Sequence, residues 1–251
     1  MKFGYYMADW RGGSYLSEVM DYTSFTFCEA QTRGEWWYHE TRRQFIKSFQ
    51  RAQEAGLDIH LNFQDSDPVK VVRLASPVWS SIKVLDVMDE SPLKLRAMSE
   101  RCIVIDNAVF NAALPSKPIN AVFTSSQIKN LNGWKSPYLD SITIEAYVID
   151  KDFRGNSGQV LDECKKVLQP QLDILPNKPI IVIGQSFTGK KSGIWPDLGP
   201  LVDLQYATYE VARADDRVTH IRWFNYGRKD GARYHPKLIA AHKAIAKKEV
   251  A

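Results

Sequence analysis

The chain has 251 residues, of which 44% are hydrophobic, 25% charged and 12% aromatic, the proportions of an ordinary globular protein rather than a disordered one. Its 14 Gly and 3 Cys exclude collagen-like and disulfide-scaffold architectures, and no apolar run approaches the roughly 18 residues of a membrane span. Lys and Arg number 33 against 29 Asp and Glu, a dispersed formal charge of +4 that implies no nucleic-acid partner.

Short β-branched or aromatic runs alternate with helix-period segments from end to end. The first run covers residues 2–9 and the second 24–30. A helical stretch over 38–55 ends at Gly56, a C-cap residue. The third run is 58–64, followed by a shorter helix over 68–74. The fourth is 81–88, after which Ser91-Pro92 open a helix to Asn111. The fifth run is 121–125 and leads through an irregular piece to 133–138. The sixth is 141–149, then a helix over 158–175 that Pro176 stops. The seventh is 179–184, with a helix over 198–213. The eighth is 218–226, and 235–248 form the closing helix, whose Lys243, Lys247 and Lys248 complement its C-terminal dipole.

Eight strands alternating with helices in about 250 residues predict an α/β fold of the (β/α)8 TIM-barrel type, as one domain over 1–251. A doubly wound open sheet is the alternative, but no dinucleotide fingerprint follows the first strand. Cys28, Cys102 and Cys164 form no CxxC or Cys/His ligand spacing and read as buried thiols of a reducing compartment. The N-terminus lacks a basic segment followed by an apolar one. A cytoplasmic location is therefore expected, with a phage-borne or trimmed secreted origin left open.

In such barrels the active site lies at the C-terminal strand ends. Those ends carry Asp9 and Trp10 (first), Glu29 (second), Asn62, Gln64 and Asp65 (third), and Asp89 and Glu90 (fourth). The fifth carries Ser125, Ser126 and Gln127, the sixth Glu145 and Tyr147, the seventh Gln185, and the eighth Trp223, Asn225 and Tyr226. Trp36, Trp37 and Trp195 lie in nearby loops. Carboxylates and amides among aromatic rings suit sugar binding, because pyranose C–H faces stack on rings while hydroxyls need donors and acceptors.

Three segments carry a family resemblance. VLDVMDESP of the fourth strand resembles the DE-P strand end of clan A-like glycoside hydrolase barrels. DSITIEAYVID of the sixth is similar to their D-x-I-x-x-D/E-x-Y-P strand, and KPIIVIGQSF of the seventh to their KP…Q-x-F strand. The resemblance spans about residues 81–227 and implies a TIM barrel acting on carbohydrate. Glu90 then matches the acid/base carboxylate, Asp89 its neighbour, Glu145 the sixth-strand acid and Tyr147 the sixth-strand aromatic. Gln185 stands where the retaining enzymes of the clan carry a nucleophilic Glu.

Glycoside hydrolysis needs one protonated and one ionised carboxyl. Glu90 is expected as general acid and Glu145 as base or electrostatic stabiliser, with Asp9, Glu29 and Asp65 as further candidates for the second role. Asp9, Trp10, Glu29, Trp36, Trp37, Asn62, Asp65, Tyr147, Gln185, Trp195, Trp223, Asn225 and Tyr226 are the expected substrate contacts. No cofactor or metal is expected: the five histidines form no HxH or HExxH, and the loops have no EF-hand spacing. The run GQSFTGKKS approaches a P-loop, but Lys191 intervenes before the Ser that would hold magnesium. A wall or capsule polymer cleaved by a phage or bacterial lysin or depolymerase is the expected setting. An inactive barrel that binds a glycan or a protein, or a metal-assisted lyase or aldolase, stays open, as does the oligomeric state.

Overall fold

In a computed structural model of the chain, the described residues are 1–6, 15–29, 42–64, 66–87, 95–129, 137–148, 153, 155–187, 198–224, 226 and 231–249. Eight strands pair in sequence order and close into a barrel: β1 Lys2–Tyr6, β2 Phe25–Glu29, β3 Asp58–Asn62, β4 Ile82–Asp86, β5 Ile119–Phe123, β6 Ser141–Ala146, β7 Ile180–Gln185 and β8 Val218–Phe224. Every pairing is parallel, and β8 returns to β1 through Lys2↔His220 and Tyr5↔Trp223. The helices are α1 Leu16–Val19, α2 Arg42–Glu54, α3 Pro68–Ala75, α4 Leu95–Asn111, α5 Ser125–Ile128, α6 Ser157–Ile174, α7 Leu198–Arg213 and α8 Pro236–Lys248. This is the (β/α)8 barrel expected from the alternation.

The helix ends follow local chemistry. Gly56 ends α2 at φ 69°, and the Gly56 and Leu57 amides donate to Gln53 and Ala52, a Schellman closure. Asp67 caps α3 ahead of Pro68, accepting from the Val69 and Lys70 amides. Asn156 and Gln159 form a reciprocal capping box on α6. The fifth strand lies two positions earlier than its apolar pattern suggested. Thr124 ends it by capping α5 in a box with Gln127, so Ser125, Ser126 and Gln127 belong to a helical turn rather than a strand end. Gly4 lets β1 approach β2 closely, since a Cβ there would lie 2.4 Å from the Phe25 carbonyl oxygen.

Alternation along the strands divides the core in two. Outward residues such as Phe3, Ile59, Leu85, Ile144, Val182, Ile221 and Trp223 form the apolar layer beneath the helices. The inward residues are unusually polar. His60, Asp86, Asn120, Thr143 and Arg222 are all buried and meet in the barrel centre. Arg222 Nη2 donates to His60 Nδ1 at 2.9 Å and pairs with Asp86 Oδ2 at 3.2 Å. Asn120 Nδ2 donates to Asp86 Oδ1 and, at 2.7 Å, to Thr143 Oγ1, while Ser141 Oγ donates to Asn120 Oδ1 at 3.0 Å. The guanidinium also lies 4.3 Å from the Phe27 ring centroid. Five strands are thereby tied together through side chains beneath the rim. All three cysteines are buried and free, and burial pushes the Cys102 thiol up to about 12 and Cys164 to about 11.

Candidate active site at the strand ends

The C-terminal ends of β6, β7 and β8 build one described sector of the rim. Glu145 continues the inward face of β6 above Thr143 and is nearly buried. Tyr147 Oη donates to Glu145 Oε1 at 3.2 Å. A charge-stabilising donor on one oxygen fixes the carboxylate in place and favours negative charge on it. Tyr147 is 36% exposed, and its ring stands edge-on to Phe187 at 5.5 Å and tilted to Phe224 at 6.0 Å. Phe187 and Phe224 are themselves edge-to-face at 5.4 Å. A carboxylate therefore sits beside an aromatic corner with one open face.

The corner is braced from behind. Ser125 Oγ donates to the Glu145 carbonyl at 3.1 Å, and Gln171 Nε2 donates to Ser125 Oγ at 3.1 Å. Ser186 donates both its amide and its hydroxyl to the Phe224 carbonyl, each at 2.6 Å, locking the exits of β7 and β8 together. The Gln185 carbonyl accepts from Gln205 Nε2 at 2.7 Å, and the same nitrogen donates to the Leu201 carbonyl at 2.8 Å. Two carbonyl partners fix that end of Gln205 as its donor, so Gln205 Oε1 accepts from His242 Nε2 at 3.0 Å. His242 Nδ1 then accepts from Tyr5 Oη. The imidazole is neutral with its proton on Nε2, and burial holds its pKa well below the usual range.

The structure separates the sequence-derived site residues into groups. Glu145, Tyr147 and Gln185 share the β6–β7 sector, although Gln185 is fully buried. Asn62 ends β3 across the barrel, also fully buried, and reaches the rim through Gln64. Trp223 does not face the mouth. It lies on the outer side of β8 at 1% exposure, stacked 5.3 Å from Phe3 and 3.9 Å from His242. The reason is strand parity: Arg222 and Phe224 take the inward positions, so Trp223 must point to the helices. Tyr226 is also buried, packed 4.6 Å from Tyr5 with its hydroxyl donating to Glu18 Oε2 at 3.0 Å. It serves the wall rather than the opening. Asp9, Trp10, Trp36, Trp37, Asp65, Asp89, Glu90, Trp195 and Asn225 lie outside the described residues, as does the Glu29 side chain.

Phe187 and Phe224 were not among the expected contacts. Phe224 was recoverable from parity, two positions beyond Arg222, and Phe187 from the last position of the KP…Q-x-F segment. Among the described residues no group of three or more His, Cys, Asp or Glu could hold a metal ion, and no helix is long and apolar enough to cross a membrane.

No protein-family model matches the sequence, and no curated protein does. Solved structures do match by fold. A GH128 (subgroup I) endo-beta-1,3-glucanase from Amycolatopsis mediterranei, in complex with laminarihexaose, superposes with a TM-score of 0.55 at 12% identity over 97% of this chain and 98% of that one. A beta-glucuronidase from Ruminococcus gnavus, in complex with D-glucuronic acid, gives 0.58 at 13% identity over 98% of this chain. The Dictyoglomus thermophilum beta-D-glucuronidase gives 0.55 at 13% identity over 92%. The chain spans about half of the glucuronidases, 48% and 46%, but nearly all of the glucanase. These likenesses establish the glycoside-hydrolase type of (β/α)8 barrel as the fold.

Proposed function

We propose that the chain is a glycoside hydrolase that cleaves a poly- or oligosaccharide at the C-terminal rim of the barrel. The observation that carries this reading is the Glu145 carboxylate, gripped by the Tyr147 hydroxyl and set beside the Tyr147–Phe187–Phe224 corner. Aromatic faces take the C–H face of a pyranose, and the carboxylate lies within reach of its polar edge. The glucanase and glucuronidase names of the fold neighbours support a glycan as the substrate class.

In this mechanism Glu90, which follows β4, supplies the proton to the glycosidic oxygen. Glu145 either activates the attacking water or stabilises the positive charge that develops on the sugar ring. The two belong to strands two places apart in the barrel, an arrangement compatible with the wider carboxyl separation that leaves room for water, roughly 6.5–9.5 Å. Gln185 is neutral and cannot act as a carboxylate nucleophile, so the second carboxyl is sought on β6 rather than β7. A bacterial wall or capsule polymer, attacked by a lysin or depolymerase, is the finer form of this proposal.

One observation favours a second reading, a barrel that binds glycan without turnover: β7 ends in an amide. The test is digestion of a glycan panel with product mass spectrometry, comparing wild type with Glu145→Gln and Glu90→Gln. Release of oligosaccharides by wild type, falling by roughly 10²-fold or more in each variant, supports the assignment. Glycan binding without release supports the second reading, and neither binding nor release overturns both.

A further inference from the structure

Gln64 follows β3 with φ 42°, a left-handed backbone that residues with a Cβ rarely adopt. Among the described non-glycine residues only Ala113 shares it, at φ 54°. Ala113 has an ordinary reason. It closes α4 in a Schellman motif, with the Ala113 amide donating to Phe110 at 2.9 Å and the Leu114 amide to Val109 at 3.3 Å.

Gln64 ends no helix, and it is held from both sides. Asn62 Oδ1 accepts from the Gln64 amide at 3.1 Å, and Asn62 Nδ2 donates to Gln64 Oε1 at 3.1 Å. Arg101 of α4 donates through Nη2 to the Gln64 carbonyl and, at 2.9 Å, to the Ser66 carbonyl. These bonds also orient the side chain. A backbone amide can only donate, so the Asn62 atom facing it is the oxygen, and its other end is the donor. That donor must meet Gln64 Oε1, which turns Gln64 Nε2 away from the buried Asn62 and outward along the barrel.

A turn that needed only this backbone would take Gly or Asn. Strain that surrounding bonds over-determine gathers at ligand-binding positions. We infer that Gln64 is a substrate-binding residue whose Nε2 amide donates a hydrogen bond to an acceptor oxygen of the bound saccharide. This rests on the glycoside hydrolase reading. It puts a fixed amide donor on the β3 side of the mouth, across from the aromatic corner.

The test compares wild type, Gln64→Gly, Gln64→Glu and Ala113→Gly by thermal melting and steady-state kinetics. The probes are laminarihexaose, chitohexaose and a uronic-acid oligosaccharide. Gln64→Gly relieves the backbone, and Gln64→Glu keeps the Oε1 contact to Asn62 while removing the donor. Both are expected to melt close to wild type and to raise KM about tenfold, the loss of about 1.4 kcal/mol of binding, with kcat held. Ala113→Gly is expected to melt higher with unchanged kinetics. Wild-type turnover with an undiminished Gln64→Glu overturns this inference alone. Absence of binding and cleavage of all three probes by wild type overturns it together with the reading it rests on.

Discussion

Arg222 and Asp86 form an ion pair at 3.2 Å in the centre of the barrel, with both side chains fully shielded from solvent. Desolvating two charges is costly, and such pairs persist when further hydrogen bonds complete them. Here Asn120 donates to Asp86 and His60 accepts from Arg222, but Arg222 Nε and Nη1 and His60 Nε2 have no protein partner among the described residues. With one charge removed, the other is stranded. Asp86→Asn is therefore expected to cost about 3–5 kcal/mol, a fall in Tm on the order of 10 °C. Calorimetry checks it, and the paired Asp86→Leu, Arg222→Met variant should recover much of the loss. A single variant within 1 °C of wild type would show that the pair is not held as a desolvated unit.

Acid stability follows from three imidazoles. Burial and the Arg222 charge hold the His60 pKa well below its usual range, and burial does the same for His242. Burial, with Lys2 and Arg222 nearby, lowers His220 to about 4. Unfolded imidazoles take up protons near pH 6.5, while the folded ones resist until lower pH. Below about pH 6.5 the unfolded state thus binds more protons, and stability falls as pH falls. Each histidine contributes a slope of about 1.4 kcal/mol per pH unit in its window. Asp86 acts in the opposite sense. Burial raises its pKa against the pull of Arg222, so its protonation favours the fold as pH drops and offsets part of the loss. Three imidazoles outweigh one carboxyl. Urea titrations at pH 7, 6 and 5 should show declining stability, and a flat profile would contradict this account.

The order of strands was legible because parallel strands, covered by helices, read as short apolar runs between amphipathic segments. The rim was less legible, because composition near a strand end does not say which face a residue takes. Trp223 and Arg222 show the difficulty. In β8 the charged residue goes inside and the aromatic outside, against the usual association of apolar with interior. Only the two-residue period assigns them, and it depends on placing Phe224 inward with His220. The offset in β5 has a similar cause: the SSQ sequence could end a strand or begin a helix, and the Thr124–Gln127 capping box decides for the helix. The strain at Gln64 left no trace in composition, since a backbone φ is fixed by the Asn62 and Arg101 contacts, which are tertiary.

Tyr147 separates the two parts of the proposed site. Its hydroxyl positions Glu145, while its ring completes the corner with Phe187 and Phe224. Tyr147→Phe removes only the hydroxyl. Glu145 then loses a charge-assisted donor, an interaction of roughly 1.5–3 kcal/mol, and kcat should fall between about tenfold and a hundredfold with little change in KM. Tyr147→Ala removes the ring as well, and KM should then rise in addition. Neither substitution threatens the fold, because the side chain is 36% exposed and stands outside the apolar layer beneath the helices. Kinetics on whichever glycan wild type cleaves distinguish the two effects. If Tyr147→Phe kept wild-type kcat, the hydroxyl would have no part in the chemistry, and Glu145 would act without it or not at all.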